Sequence, residues 1–386
     1  MKILFLPFLQ MPTGHHSVAN ALIRSLENRI PNLNNIKVDF FSYANKRLEK
    51  AFRLTYLTWI DHSPHTFVWL YKSFVYPTKS TKHFNWYESK FLDKMNTLLN
   101  EEKPDLIICT QAFPSFLIGR LRYSGIPTPP VINVYTDFFI NKLWGINEID
   151  YHFVPDKNIK AKLLNNYNLN PECVIATGIP IDDCFQARPF KRPTPPYHIL
   201  ISGGNAGLGD LEVLIKDLSD VPDYYFSILC GHNNKLLKDV LALKLNNVQP
   251  LSFISLRESM NALYNDADAI ITKPGGVTIS EALNKKLPIF VHSTLPGQEV
   301  INRDYLASKK LIYKLNQANP LIEQLDNFFN NETELELWKQ RVDSYLNQQE
   351  CPAWQKILAI CIKNSTYCHG TNYKYYVPSK KSHLKR

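Results

Sequence analysis

Ala269-Ile270-Ile271-Thr272-Lys273-Pro274-Gly275-Gly276-Val277-Thr278-Ile279-Ser280-Glu281-Ala282 decides the reading of this chain, because its order dictates a geometry. The apolar run Ala269-Ile270-Ile271 predicts a buried strand, Pro274-Gly275-Gly276 a tight turn, and Val277 to Lys286 the start of a helix. A helix that begins at a strand's carboxyl end offers free backbone N–H groups and the positive end of its dipole, and both suit a phosphate. Glu281 follows about one turn later, within reach of a sugar hydroxyl. A second turn, Leu295-Pro296-Gly297-Gln298-Glu299, comes after the next apolar run, Leu287 to His292. Together the two turns describe a pocket for a nucleotide diphosphate that carries a sugar.

Outward from this motif the chain alternates strand-like and helix-like segments. In the first part the strand-like runs are Ile3–Leu9, Ile36–Phe41, Leu106–Thr110, Val131–Tyr135, Tyr151–Val154 and Val174–Thr177. Between the first two, His16–Ile30 has Val18, Leu22 and Leu26 on one helical face. The pattern restarts at His198-Ile199-Leu200-Ile201-Ser202-Gly203-Gly204 and continues through Tyr225–Cys230, Ala269–Thr272 and Pro288–His292. Such alternation predicts an α/β protein with two doubly wound parallel sheets. We expect a first domain over 1–183, a proline-rich connector over 184–197 and a second domain over 198–350. A helix over 351–365 should cross back to the first domain, and a basic flexible tail should occupy 366–386.

Composition narrows the class. The 386 residues suffice for two cores, and 45% apolar content is that of an ordinary globular protein. The seven scattered cysteines include no CxxC pair, which fits reduced thiols better than a disulfide frame or zinc site. No apolar run approaches the roughly 20 residues that span a bilayer. The opening Met1–Leu9 is read as a first strand, the less favoured alternative being a signal peptide interrupted by Pro7. Of the net charge of +9, seven positive charges and no acid lie from Cys351 onward, so the body is nearly balanced. Residues 43–91 interleave rings such as Phe52, Trp59, Trp69 and Trp86 with bases such as Lys46, Arg53, Lys72 and Lys90. This predicts attachment to an anionic membrane surface through 43–91 and the basic C-terminus. Core packing of the rings and a merely solubilising tail are the alternatives. No recognition-helix pattern accompanies the bases, which argues against a nucleic-acid partner.

Four elements should meet between the two sheets. Gly14-His15 stands after the first strand, where an imidazole can accept a hydroxyl proton. His16 points elsewhere on the helix. Asp137, in Tyr135-Thr136-Asp137-Phe138, orients that histidine, binds an acceptor hydroxyl, or caps the next segment. Gly203, Gly204 and Asn205 open the second sheet with a turn that a diphosphate can approach. Gly275, Gly276 and Thr278 face the phosphates, Glu281 the ribose, and Gln298 with Glu299 the sugar. Asp266-Ala267-Asp268 has the form of a metal-binding DxD but precedes a strand, so it reads as an entry turn. We expect no metal, with backbone donors and the helix dipole neutralising the leaving diphosphate.

These residues bring a resemblance into view. The chain is similar to family-28 glycosyltransferases of the GT-B fold, and within them to diacylglycerol glucosyltransferases and monogalactosyldiacylglycerol synthases. The similarity runs from Met1 to about Leu311. It is strongest in Ile271–Ala282 and in Pro296-Gly297-Gln298-Glu299-Val300-Ile301-Asn302, and continues in Thr177-Gly178-Ile179-Pro180-Ile181, Pro104–Ile108 and Thr136–Trp144. It implies a UDP-sugar donor, an inverting displacement without metal, and a lipid acceptor held by the first domain. Mapped onto this chain, Gly14 and Asn302 join the donor-side residues and His15 takes the base position. Two departures fall on the acceptor side. Met11-Pro12-Thr13 precede Gly14 where the family has more glycine, and Asn141 stands where the family commonly has histidine.

The expected activity is transfer of a hexose, glucose first, from a UDP-sugar to diacylglycerol or a related glycolipid, at the inner face of the cell membrane. Two alternatives stay open. One is a transferase, UDP-N-acetylglucosamine- or UDP-hexose-dependent, acting on a polyprenyl-linked or soluble glycoside. The other is a non-catalytic nucleotide-sugar sensor.

Overall fold

The computed structural model describes residues 1–8, 13–31, 33–47, 49–50, 85–185, 187–203, 211–295 and 297–367, with backbone alone at 85–88, 212 and 364–367. Gly204 and Asn205, most of the aromatic segment 43–91 and the basic tail beyond Tyr367 lie outside the described residues.

The first sheet consists of β1 (Lys2–Leu6), β2 (Asn34–Lys37), β3 (Leu106–Cys109), β4 (Val131–Val134), β5 (Tyr151–Val154) and β6 (Val174–Ala176). All are parallel, in the order β2-β1-β3-β4-β5-β6. Its helices are α1 (Gly14–Glu27), α2 (Phe40–Ala44), α3 (Asn85–Glu102), α4 (Ala112–Tyr123) and α5 (Lys157–Asn166). The second sheet consists of β7 (Tyr197–Ser202), β8 (Tyr224–Gly231), β9 (Val248–Ser252), β10 (Ala269–Thr272), β11 (Ile289–Val291) and β12 (Tyr313–Lys314). It is parallel throughout, in the order β12-β11-β10-β7-β8-β9. Around it lie α6 (Leu211–Lys216), α7 (Asn234–Ala242), α8 (Arg257–Asp266), α9 (Gly276–Asn284), α10 (Gln298–Ser308), α11 (Leu321–Phe329) and α12 (Glu332–Leu346). The last described helix is α13 (Ala353–Tyr367).

Side chains that alternate along a strand go to opposite faces, and β1 divides its residues accordingly. Leu4 and Leu6 join Leu98 and Leu99 of α3 and Leu117 and Ile118 of α4. Ile3 and Phe5 face the other way, into a core with Val18 and Leu22 of α1 and Ile357 and Ile360 of α13. That second core continues without a break into the second half, through Ile179 and Phe185 to Ile279. Helix α13 therefore returns to the first half, where Arg29, just past the end of α1, lies 4.2 Å above the Trp354 ring. Ahead of it, the Glu350 N–H donates to the Ala176 carbonyl at 2.7 Å.

Three boundaries differ from the sequence reading. The expected strand Ile36–Phe41 stops at Lys37, and Phe40 and Phe41 instead start α2 with both rings buried. Strand β9 escaped notice because Pro250 and half-exposed alternation disguise it; it is an edge strand, where proline is tolerated. Strand β12 is two residues long and carries no periodicity.

The strand orders locate the crevices. In an open parallel sheet, ligands bind beyond the carboxyl ends where the order of strand connection reverses. That point falls between β1 and β3 in the first sheet and between β7 and β10 in the second.

Candidate active site

At the first switch point, α1 opens with Gly14-His15. His15 Nδ1 lies 2.8 Å from the Thr110 carbonyl oxygen, just past β3, and 2.8 Å from Thr136 Oγ1, just past β4. A carbonyl only accepts, so Nδ1 carries the hydrogen and Nε2 keeps its lone pair. Burial lowers the His15 pKa below the usual 6.5, opposed by the Asp137 charge and the Thr110 carbonyl. The ring is thus neutral at neutral pH, with Nε2 able to take a proton. His16 turns away toward Asp39, with Nε2 3.4 Å from Oδ1.

At the second switch point, Gly203 is buried directly beyond β7, and β10 leads through Lys273-Pro274-Gly275 into α9. The Gly275 N–H closes the turn on the Lys273 carbonyl at 2.8 Å. Gly275 is the N-cap and offers no side chain, so the first-turn N–H groups of Gly276, Val277 and Thr278 lack intrahelical partners. A Cβ on Gly275 would meet nothing within 4 Å, whereas one on Gly276 would overlap the Thr136 carbonyl oxygen and lie 2.9 Å from Ile179 Cδ1. Gly275 faces open space, as expected for a phosphate turn. Gly276 instead allows the two halves to touch, a role the sequence reading did not anticipate. Gly14 stands at the same junction, where a Cβ would be 3.4 Å from Val277 Cγ2. The N-termini of α1 and α9 therefore face each other.

Glu281 is buried one turn into α9. Its Oε2 accepts from the Tyr264 hydroxyl at 3.2 Å, and Arg257 stands 3.5 Å from Oε1. Burial raises its pKa to about 7, against the opposing Arg257 charge. Arg257 also reaches Ser17 Oγ of α1 at 3.5 Å, so it spans the two halves behind the base. Gln298 opens α10 after Gly297, whose φ of 104° favours glycine. Glu299 Oε2 accepts the Leu295 N–H at 2.5 Å, so one of its oxygens holds the turn. Burial raises the Glu299 pKa and the Lys273 charge opposes this.

Asn302 is placed differently from the expectation. It is 1% exposed. Both amide hydrogens are engaged, by Asp137 Oδ1 at 2.8 Å and the Pro274 carbonyl at 3.2 Å, and its Oδ1 accepts the Phe138 N–H at 2.9 Å. With these groups bonded within the protein, its side chain joins the two halves. Asn141, at the departed position, is buried and accepts the Leu143 N–H at 3.0 Å. Asp268 accepts the His198 N–H at 2.9 Å, as an entry turn requires. Among the described residues no group of three or more His, Cys, Asp or Glu side chains converges.

Several site residues had no assigned role in the sequence. Thr110 and Thr136 are polar residues that end apolar strands, a signal open to reading. Lys273 is buried within the motif itself, near both Glu299 and His292. His292 is buried with neither ring nitrogen bonded, and burial together with Lys273 lowers its pKa to about 4. Arg257 carries no spacing signal at all.

Two parallel sheets facing each other across switch-point turns are the architecture of GT-B glycosyltransferases. The family model described as monogalactosyldiacylglycerol (MGDG) synthase matches residues 15–181. An uncharacterized glycosyltransferase of Bacillus subtilis, YkoN, is 38% identical over 352 residues, 90% of this chain and 93% of that one. A processive diacylglycerol beta-glucosyltransferase of Bacillus cereus is 28% identical over 310 residues, 76% and 78% of the two chains. Among solved structures, MurG of Acinetobacter baumannii superposes with a TM-score of 0.60 at 16% identity, covering 94% of this chain and 100% of that one. The chain belongs to the family-28-type glycosyltransferases and is an enzyme of that class. No helix among the described residues is long and apolar enough to cross a membrane.

Proposed function

We propose that the enzyme transfers a hexose, glucose first, from a UDP-sugar to diacylglycerol or an already glycosylated diacylglycerol, with inversion at the anomeric carbon. The observation that carries this reading is the face-to-face pair of helix starts, one with a neutral histidine and the other with unpaired amides. In the proposed step, Nε2 of His15 takes the proton of the acceptor hydroxyl. That oxygen bonds to the anomeric carbon while the bond to the diphosphate breaks, and UDP leaves with the electron pair. The α9 amides, its dipole and Lys273 meet the charge that develops on the leaving phosphate. Glu281 binds the ribose, and Gln298 with the open side of Glu299 binds the hexose. Residues 43–91 and the basic C-terminus hold the enzyme at the inner face of an anionic membrane.

A lipid acceptor is favoured by the matches to monogalactosyldiacylglycerol synthase and diacylglycerol beta-glucosyltransferase. The test is UDP release from UDP-glucose with diacylglycerol in mixed micelles containing phosphatidylglycerol, with the product's anomeric proton read by NMR. A β-linked glucolipid, formed at the same rate in EDTA, is the expected result. An α-linked product, or turnover only with soluble acceptors, would discard the reading.

A further inference from the structure

The proposed base does not stand alone. Asp137 follows Thr136 in the chain, and Thr136 Oγ1 touches His15 Nδ1 at 2.8 Å. The Thr136 carbonyl oxygen lies against the bare α-carbon of Gly276. Asn302 grips the same segment from the second half. It donates to Asp137 Oδ1 at 2.8 Å, accepts the Phe138 N–H at 2.9 Å and donates to the Pro274 carbonyl in the phosphate turn at 3.2 Å. It sits one turn after Gln298 and Glu299 on α10. One side chain thus reaches the segment that contacts the base, the phosphate turn, and the helix proposed to hold the sugar.

We propose that Asn302 is a positioning residue, which holds Asp137 and the Thr136 peptide against His15 and fastens them to the donor turn. This rests on His15 being the base. The amide suits the task because it donates and accepts at once without adding charge. A carboxylate held beside an imidazole favours its protonated form, so Asp137 makes His15 a stronger base than burial alone would leave it. The other charged groups near this turn are His16, which opposes that effect, Arg257, which reaches Ser17, Glu299, whose carboxyl feels the Asp137 charge, and Lys273, which faces Glu299. Asn302 therefore lets the base reach working strength when the donor turn is in place.

The test is the pH profile of kcat/KM in wild type, Asn302→Leu, Asp137→Asn and the double variant, with UDP affinity measured alongside. In Asn302→Leu the acid limb should move to lower pH by up to about one unit, as in Asp137→Asn. kcat should fall about tenfold, with UDP affinity within about twofold of wild type. The double variant should be no worse than the poorer single one, as expected of residues acting together. An unmoved or raised limb, or a higher KM for the UDP-sugar with kcat intact, overturns the proposal and makes Asn302 a sugar ligand or a plain brace. If Asn302→Leu does not fold, Asn302→Ser takes its place, with a smaller shift in the same direction. A wild-type acid limb that His15→Ala leaves in place would instead refute the base assignment.

Discussion

The N-termini of α1 and α9 meet across the cleft, Gly14 beside Val277, and they share a backbone design. Each follows a strand at a switch point, and neither is capped by the side chain before it. Some other helices are closed, since Asp156 takes the Asn158 and Ile159 amides of α5 and Asn233 takes the Leu236 amide of α7, whereas α2, α8, α10 and α11 also start without a side-chain cap. An open helix start in a cleft leaves amides and a positive field for something else to use. On α9 the field has glycine and threonine around it and suits an anion. On α1 it has an imidazole, which a positive field keeps neutral and basic. The same backbone arrangement thus does opposite jobs, and the side chain of the second residue decides which.

The sharpest way to break this comparison is to remove the imidazole. His15→Ala should lose about 10²- to 10⁴-fold in kcat, the usual worth of a general base. UDP affinity, which the proposed function assigns to α9, should stay near wild type by calorimetry. A parallel loss of UDP binding would mean the two helix starts are not separate in function.

Next in size is the junction itself. Gly276→Ala places a methyl group where the Thr136 carbonyl oxygen already sits, and backbone cannot yield as a flexible side chain can. The halves must separate or the turn must distort. We expect about 1–3 kcal/mol of destabilisation, typical of overpacking, and at least a tenfold drop in turnover. Gly275→Ala meets open space and should leave the melting temperature nearly unchanged while weakening UDP binding. Equal stability losses at the two glycines would contradict the division of labour between them.

Glu281 gives a third, smaller test that depends on pH. An unfolded glutamate titrates near 4.3, and here burial raises the pKa to about 7. Between those values the folded protein keeps a proton that the unfolded chain has released, so stability falls as pH rises through that window. Glu281→Gln cannot titrate and should lose this slope, melting above wild type at pH 8. Its UDP affinity should be about tenfold weaker there, because a neutral amide accepts less strongly from ribose hydroxyls than a carboxylate. Wild-type affinity should itself decline below pH 7. A pH-independent melting difference would show that Glu281 does not titrate in that window.

The strand–turn–helix geometry of residues 269–282 was legible in the sequence because everything it needs is local. Strand, glycine turn, open helix start and Glu281 lie within 14 consecutive positions, and periodicity with turn chemistry dictates their arrangement. The place of His15 at the start of α1 was legible for the same reason, coming soon after a clear first strand. What stayed hidden joins distant parts of the chain. Asn302 meets Asp137 across 165 positions, and Arg257 meets Ser17 across 240. Neither amide nor guanidinium leaves a periodic trace. Gly276 showed itself as a glycine but not which of two uses it served, since phosphate approach and backbone contact both demand a missing Cβ. Edge strands β9 and β12 were lost because half-solvated or very short strands carry little pattern.

The smallest expected effect concerns α13, the helix that returns the second half's chain to the first. Arg29, just past the end of α1, makes a cation–π contact over the Trp354 ring. Buried Ile357 and Ile360 contribute the larger share of that helix's hold, through apolar area removed from water. Trp354→Leu keeps most of the apolar surface and removes only the ring's electrostatic attraction for the guanidinium. We expect about 0.5–1 kcal/mol less stability in denaturant melts, with kcat and UDP affinity unchanged. If turnover fell while stability held, α13 would be setting the position of α1 and His15 from behind. The contrast between the two helix starts would then extend to their supports, because behind its first turn α9 is backed by β11 and α12 of its own half, whereas α1 would depend on a helix from the chain's far end.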